Sequence, residues 1–494
     1  PISCSTVKLT LFLSPFSLLS ISTQLSLSHP LVAMSYTKKH VKIDDLWPEP
    51  EKDKYTKNRE PLKLTIPTLL LFCSISLIFL ILISPFTSHP QTTSFASLTR
   101  TCDHNFTVYV YDLPKEFNNK LLQNCRHLNI YTDMCPHLAN NGLGQPLLLR
   151  NGSGSNTGPS WFATHQFIAE MIFHARVENH PCRTWEPNDA DIFYVPFYGG
   201  LYSSSVFREH NLTKRDELAV RLVDFVSSQR WWKRSNGRDH FLAIGRTAWD
   251  FMRDDDEDFG ANMLMHMPRV MNMSVLTVER QPWRGDNQFG IPYPSYFHPH
   301  TSAEMVTWQD KMRRVERRHL FSFVGGPRKG LEKAAIRDEL IRQCADSSRC
   351  ELLKCESGGS RCHDPMTVLG VMARSRFCLQ APGDSFTRRS TFDAILAGCI
   401  PVFFSPHTMY TQYKWYVPDD RRSYSVFMDE KNNTQIEQEL LKISESEVVQ
   451  MRETVIGLIP RLTYAHPNAT NYKLPDAVDV ALEALAKQVR DKVV

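Results

Sequence analysis

The sequence predicts an α/β protein built from two doubly wound parallel-sheet domains facing a cleft, preceded by a single N-terminal transmembrane helix. Three observations predict it. Short apolar runs rich in β-branched and aromatic residues recur between residues 106 and 404. Helical or irregular segments separate them, as expected for parallel strands covered on both faces. One uncharged apolar run, Leu64–Ile83, stands apart near the N-terminus. The 494 residues, 42% hydrophobic and 22% charged, suffice for two or three domains and exclude wholesale disorder. Lys and Arg number 57 against 53 Asp and Glu, with no basic stripe interleaved with aromatics, which argues against a nucleic-acid partner.

From the N-terminus, residues 1–33 precede the first methionine, Met34, and read as a non-native or untranslated extension. The patch Leu9–Leu19 keeps a signal-peptide core as the competing reading. Residues 34–63 read as a cytosolic tail, because Lys52, Lys54, Lys57, Arg59 and Lys63 precede the apolar run and the next basic residue is Arg100. Residues 64–83 form the signal anchor: at ~1.5 Å per residue they just cross about 30 Å of hydrocarbon. Residues 84–104, rich in Ser, Thr and Pro, read as a lumenal stem. Six Asn-x-Ser/Thr acceptors, Asn105, Asn151, Asn211, Asn272, Asn432 and Asn468, all lie beyond the anchor. So do ten of the twelve cysteines, including Cys344, Cys350, Cys355 and Cys362. That cluster lacks a paired C-x-x-C, so it predicts disulfides rather than zinc, with the connectivity open.

In the lumenal part, Phe106–Tyr111 predicts a first buried strand, stopped at Pro114. Trp161–Ala175 predicts a helix with Trp161, His165, Ile168 and Ile172 on one face, His165 being a packing residue. Ile192–Val195, Phe241–Gly245, Ser274–Val278, Leu320–Val324, Phe377–Gln380 and Ile400–Phe404 predict further strands. Lys311, Arg313, Arg314, Arg317 and Arg318, with little apolar patterning, make 300–318 read as a solvated crossing, its basic run being a charged helix face or, in the alternative, a cleft lining. The domains are accordingly 105–318 and 319–470. Val478, Leu482, Leu485 and Val489 recur at helical spacing and make 471–494 a closing amphipathic helix.

The chemistry concentrates in Ser375–Pro406. The strand FCLQ runs into the tight turn Ala381-Pro382-Gly383-Asp384; a helix is predicted from Ser385 to near Gly398, and the strand IPVFF follows. In an open parallel sheet, ligands bind at the carboxyl ends of strands, and a helix N-terminus there offers N–H groups to an anion. Arg388 or Arg389 suits a diphosphate, and Asp393 suits a pair of ribose hydroxyls. The alternative is a surface Arg–Asp pair worth about 0.3–0.5 kcal/mol.

Cys378–Phe404, with Pro-Gly-Asp at 382–384, Ser385-Phe386-Thr387-Arg388-Arg389-Ser390 and Ala397-Gly398-Cys399-Ile400-Pro401-Val402, resembles the exostosin-like glycosyltransferases of plants. So do the blocks Val108–Pro114, Arg183-Thr184 with Ala190–Tyr198, and Phe323-Val324-Gly325, and the resemblance spans about 105–465. Ile244–Phe251 and Pro292–Pro299 resemble the subgroup containing xyloglucan galactosyltransferases. The resemblance implies a GT-B fold and a single-pass type II Golgi membrane protein. It also implies inverting transfer from UDP-galactose or a related UDP-sugar to xyloglucan or another hemicellulose, with no essential metal or other cofactor. Complexes with other Golgi glycosyltransferases fit the same setting. The N-terminal half would bind acceptor and the C-terminal half nucleotide. The wider family usually has an arginine where this chain has Ser390, so the phosphate contact falls to Arg388 or Arg389.

Transfer needs charge neutralisation on the departing diphosphate, an acceptor hydroxyl in line, and a base. Ser385, Thr387, Arg388, Arg389 and Arg337 are the candidates for the first. Asp250 is the candidate base, with His298 second; Trp249 offers a flat face to a sugar ring, and Tyr198 joins it on the acceptor side. A helix-starting cap is the competing reading of Asp250. Asp254–Asp258 contains the spacing of a metal-holding Asp-x-Asp but reads as a solvated loop. From another class, a non-catalytic sugar-binding protein would use Trp231, Trp232, Trp249 and Trp283 as stacking platforms.

Overall fold

The computed structural model describes residues 102, 105–147, 159–254, 259–328, 330–355, 361–429, 433–469 and 471–493. The extension, tail, anchor and most of the stem predicted from sequence lie outside the described residues, as do Asn151, Asn432 and most of the acidic run. No helix among the described residues is long and apolar enough to cross a membrane.

Two parallel sheets are present. The first comprises β1 (Val108–Val110), β2 (Arg183–Thr184), β3 (Ile192–Tyr194), β4 (His240–Thr247), β5 (Ser274–Glu279) and β6 (Gln288–Gly290), in the order β2-β1-β3-β4-β5-β6. The second comprises β7 (His319–Gly325), β8 (Cys350–Lys354), β9 (Ser375–Gln380), β10 (Ile400–Phe403) and β11 (Val426–Phe427), in the order β11-β10-β9-β7-β8. Every pairing between these strands is parallel, for example Phe241↔Ser274 and Ile400↔Phe377. The central strands read as continuous apolar runs because both faces are covered: β5 is buried at every residue, and β4 at every residue but Arg246.

One expectation is corrected. The helix predicted from Trp161 begins at Ala169 and runs to Glu178. Phe162 pairs with Pro146 and Trp161 with Phe297, which holds that segment extended. The crossing contains a helix, Ser302–Arg314, in keeping with the charged helix face expected of its basic run, and its N-cap Thr301 accepts from the Glu304 N–H. Met305, Trp308 and Met312 lie buried on one face, and the Trp308 indole donates to the Leu396 carbonyl at 2.8 Å. The cationic side chains of its last turn sit where the helix dipole favours positive charge. The closing helix, Ala477–Val493, returns to the first sheet: Asp476 at its start accepts from Arg176 Nε at 2.7 Å, within the helix Ala169–Glu178.

Ten cysteines form five disulfides: Cys102–Cys182, Cys125–Cys135, Cys344–Cys350, Cys355–Cys362 and Cys378–Cys399. The last ties β9 to the residue preceding β10 and so brackets the segment in which the chemistry was expected.

Candidate active site

The turn after β9 faces the carboxyl ends of β4 and β5. It closes tightly, the Gly383 N–H donating to the Ser385 carbonyl at 2.9 Å. Arg388 is extended, at φ −149° and ψ 147°, and its guanidinium lies directly over Gly383; a Cβ there would sit 1.7 Å from Nη2, so a larger residue would displace the guanidinium. Arg337, on the helix Ile336–Asp346, reaches the turn from the other side. Its Nε donates to the Gly326 carbonyl at 2.7 Å, and its Nη1 lies 3.4 and 3.3 Å from the carbonyls of Ala381 and Pro382.

Arg328 pairs with Asp384 at 3.2 Å, Arg388 approaches the same carboxylate at 3.4 Å, and Lys333 stands 5.3 Å over the Phe386 ring. Burial first, then the charges of Arg388 and Arg328, pull Arg337 down to about 10. Nη2 of Arg388 is buried and makes no hydrogen bond. Four cations thus gather at one turn, with Arg328 and Arg388 sharing the carboxylate of Asp384, a concentration of positive charge suited to an anion.

The opposite wall is built by the first sheet. The register of β4 against β5 shifts between Ile244 and Thr247, and Gly245 there comes so close to Phe167 that a Cβ would lie 2.9 Å from its carbonyl oxygen. The displaced end of β4 leads into a short turn carrying Trp249 and Asp250. Asp250 Oδ2 accepts from Arg246 Nε at 2.8 Å and from the Thr247 hydroxyl at 3.3 Å. Trp249 and the 64%-exposed Trp283 lie 6.2 Å apart, and Trp283 also meets the edges of Phe386 and His407 at 5.8 and 5.4 Å. The two walls meet in an aromatic cluster that opens to solvent at Trp283.

Several expected residues stand elsewhere. The helix after the turn spans Arg389–Leu396 and does not start at Ser385, so Ser385 and Thr387 precede it, both buried. The N–H groups of Phe386 and Thr387 are not open to an anion: both donate to the carboxylate of Glu279, at 3.2 and 2.8 Å. Of the two arginines, Arg388 lies at the turn and Arg389 points away from it. Arg389 donates to the Thr164 carbonyl at 2.9 Å and to the Tyr296 hydroxyl, and its guanidinium stacks 4.2 Å over the Tyr296 ring. Asp393, 3% exposed, accepts from the Ser295 hydroxyl at 2.6 Å and pairs with Arg389 at 3.5 Å. Burial pushes its pKa up, against the pull of Arg389 and Ser295.

His298 is fully buried, bonded to the Thr164 hydroxyl at 2.9 Å and to the Tyr464 carbonyl at 2.9 Å, and burial lowers it to about 4. Tyr198 is also buried, its hydroxyl 2.9 Å from His174 Nδ1. Trp232 is core, and Trp231 packs on Phe193. Asn105, Asn211 and Asn468 are exposed and Asn272 is half-buried.

Glu279 is the residue that sequence reasoning missed; its signal was a lone carboxylate at the end of an otherwise uncharged strand. Among the described residues, no group of three His, Cys, Asp or Glu side chains could hold a metal.

The description "Exostosin GT47 domain" matches residues 102–443. This chain belongs to the exostosin GT47 family. The GT47 match covers all eleven strands and the turn after β9, while the helices Glu445–Leu458 and Ala477–Val493 follow it. The chain is 80% identical over 464 residues to the "Probable xyloglucan galactosyltransferase GT17" of Arabidopsis thaliana, covering 93% of this chain and 99% of that one. It is 44% identical over 388 residues to the xyloglucan galactosyltransferase MUR3 of the same plant, covering 77% of this chain and 62% of that one. To the xyloglucan galactosyltransferase XLT2, also from Arabidopsis thaliana, it is 41% identical over 400 residues, covering 79% of this chain and 76% of that one.

Proposed function

We propose that this chain is an inverting galactosyltransferase of the Golgi membrane, moving galactose from UDP-galactose to xylosyl side chains of xyloglucan, with the two sheets arranged as a GT-B enzyme. The observation that carries the reading is the gathering of Arg328, Lys333, Arg337 and Arg388 at the turn after β9, facing a wall of tryptophan and carboxylate. The names of the GT47 relatives support the choice of donor and acceptor.

In this mechanism an acceptor hydroxyl attacks the anomeric carbon from the face opposite the diphosphate. The new carbon–oxygen bond forms as the bond to UDP breaks, and the charge developing on UDP is taken up by Arg388, Arg337 and Arg328, without need of a metal. Asp250 takes the hydroxyl proton. Its Oδ2 is held by Arg246 and Thr247, while Oδ1 makes no hydrogen bond among the described residues. The Trp249 ring beside it offers a face to the sugar.

The test is to incubate the purified full-length chain with xylosylated glucan oligosaccharides and a panel of UDP-galactose, UDP-galacturonic acid and UDP-arabinose, with and without EDTA, and to weigh the products. One added hexose, from UDP-galactose alone and surviving EDTA, is expected. Asp250→Asn should lower kcat by about 100-fold or more, the range for loss of a general base, with UDP affinity kept. UDP binding without transfer to any acceptor would refute the reading.

A further inference from the structure

Glu279 closes β5 and is wholly buried. Its carboxylate accepts four hydrogen bonds. Oε1 takes the Trp249 indole N–H at 2.8 Å and the Phe386 N–H at 3.2 Å; Oε2 takes the Thr387 N–H at 2.8 Å and the Thr387 hydroxyl at 2.5 Å. One donor belongs to the acceptor wall, and three belong to the donor turn more than a hundred residues further along the chain. A carboxylate offers about four acceptor positions, and here each is used. It therefore has no position left for the proton of an acceptor hydroxyl, a role that the half-engaged Asp250 can fill. Four donors on one wholly buried carboxyl group make a stiff joint, because each bond restrains the same two oxygens and none is exchanged with solvent.

We propose that Glu279 is a positioning residue: it ties the Trp249 platform to the Phe386–Thr387 turn and so fixes the distance and angle at which an acceptor hydroxyl meets the donor's anomeric carbon. The proposal rests on the transferase reading and adds what sets the reaction's geometry. Displacement is steep in this coordinate, and a misplacement of ~1 Å costs about 100-fold. Where the acceptor is misaligned, water takes its place: the bond from the anomeric carbon to UDP breaks, a bond to water oxygen forms, and the water proton leaves to solvent or base, giving free galactose and UDP.

Glu279→Gln in the full-length chain replaces one acceptor oxygen by an N–H₂ that cannot accept. UDP affinity by calorimetry, kcat for transfer, and the ratio of donor hydrolysed to donor transferred are measured together. A fall in transfer of about 10- to 100-fold is expected, with UDP affinity within about threefold of wild type and a several-fold rise in the hydrolysed share. Thr387→Val, which removes only the hydroxyl donor in a shape-conserving exchange, should move the same ratio by a smaller step and keeps the test alive if Glu279→Gln does not fold. A tightening of UDP by more than about tenfold would mean that Glu279 merely fills the diphosphate's place, and would overturn the proposal. Transfer and hydrolysis falling in equal proportion would overturn it too, since plain loss of folded protein does that. If wild type transfers to no acceptor, the functional reading itself has failed; an unchanged ratio in variants of a transferring wild type fails this inference alone.

Discussion

The two walls that meet at Glu279 differ in kind. The wall from the second sheet is cationic and tight, with Arg328, Lys333, Arg337 and Arg388 set around the glycine turn. The wall from the first sheet is aromatic and acidic, with Trp249, Trp283, Asp250 and Glu279. The contrast matches the two halves of a glycosyl transfer. A nucleotide diphosphate is an anion recognised by guanidinium forks, whereas an acceptor glycan is a neutral polyol recognised by flat apolar faces and activated by a carboxylate.

The largest effect should come from removing the cationic side. Arg388 is the residue to change, since its Nη2 is buried without a hydrogen bond, while Arg337 also holds the turn's carbonyls and its loss would unseat the turn. Arg388→Ala is expected to weaken UDP binding by about 100-fold, the scale of one lost charge-assisted fork. Arg388→Lys should recover little of it, because an ammonium lacks the fork. Calorimetry with UDP reads both, and a thermal melt checks that the fold is kept. Unchanged UDP affinity would remove the diphosphate from this turn and erase the contrast.

A smaller effect should appear on the acceptor wall. Trp283 is 64% exposed yet braced by the edges of Phe386 and His407, which presents an indole to solvent in a fixed orientation. Trp283→Ala should raise the KM for the xylosylated oligosaccharide about tenfold, in line with loss of a stacked aromatic, and leave UDP affinity alone. Trp283→Phe should restore most of it. A loss of UDP affinity instead would show that the walls are not sorted by substrate.

How far this contrast was legible in the sequence depends on where its parts sit. The strands foreseen were β1, β3, β4, β5, β7, β9 and β10, whose neighbours on both sides bury them and impose a continuous apolar run. The four not foreseen, β2, β6, β8 and β11, are the edges of the two sheets. An edge needs only one partner, so two or three residues such as Arg183-Thr184 suffice, and no run of apolar residues marks them.

The site divides similarly. The glycine turn and Arg388 were legible because strand, turn and helix lie within one local segment. Glu279 on Thr387, Ser295 on Asp393 and Thr164 on Arg389 were not, because each contact joins residues about a hundred or more apart and only the folded seam brings them together. The burial of His298 and Tyr198 was likewise not legible, because long-range packing imposes it.

The smallest expected effect sharpens the contrast within the acidic wall. Glu170 also lies there, wholly buried, its carboxylate accepting the N–H groups of Gly200, Leu201 and Gly245 at 2.8 to 3.0 Å. Burial outweighs those three donors and pushes it from 4.5 up to about 7. The folded chain therefore binds more protons at this residue than the unfolded chain between those values. Stability is fully present below about pH 4.5 and is lost as pH rises through about 7. By linkage the loss is about 3 kcal/mol at most, a few degrees in a chain of this size. Thermal midpoints of wild type and Glu170→Gln, compared from pH 5 to 8, should move apart as pH rises, wild type falling relative to the variant, because the glutamine stays neutral and is spared the cost of ionising in place. Parallel curves would mean that Glu170 stays charged throughout, with three backbone donors outweighing its burial, and that the acidic wall carries one more permanent charge than the contrast assigns to it.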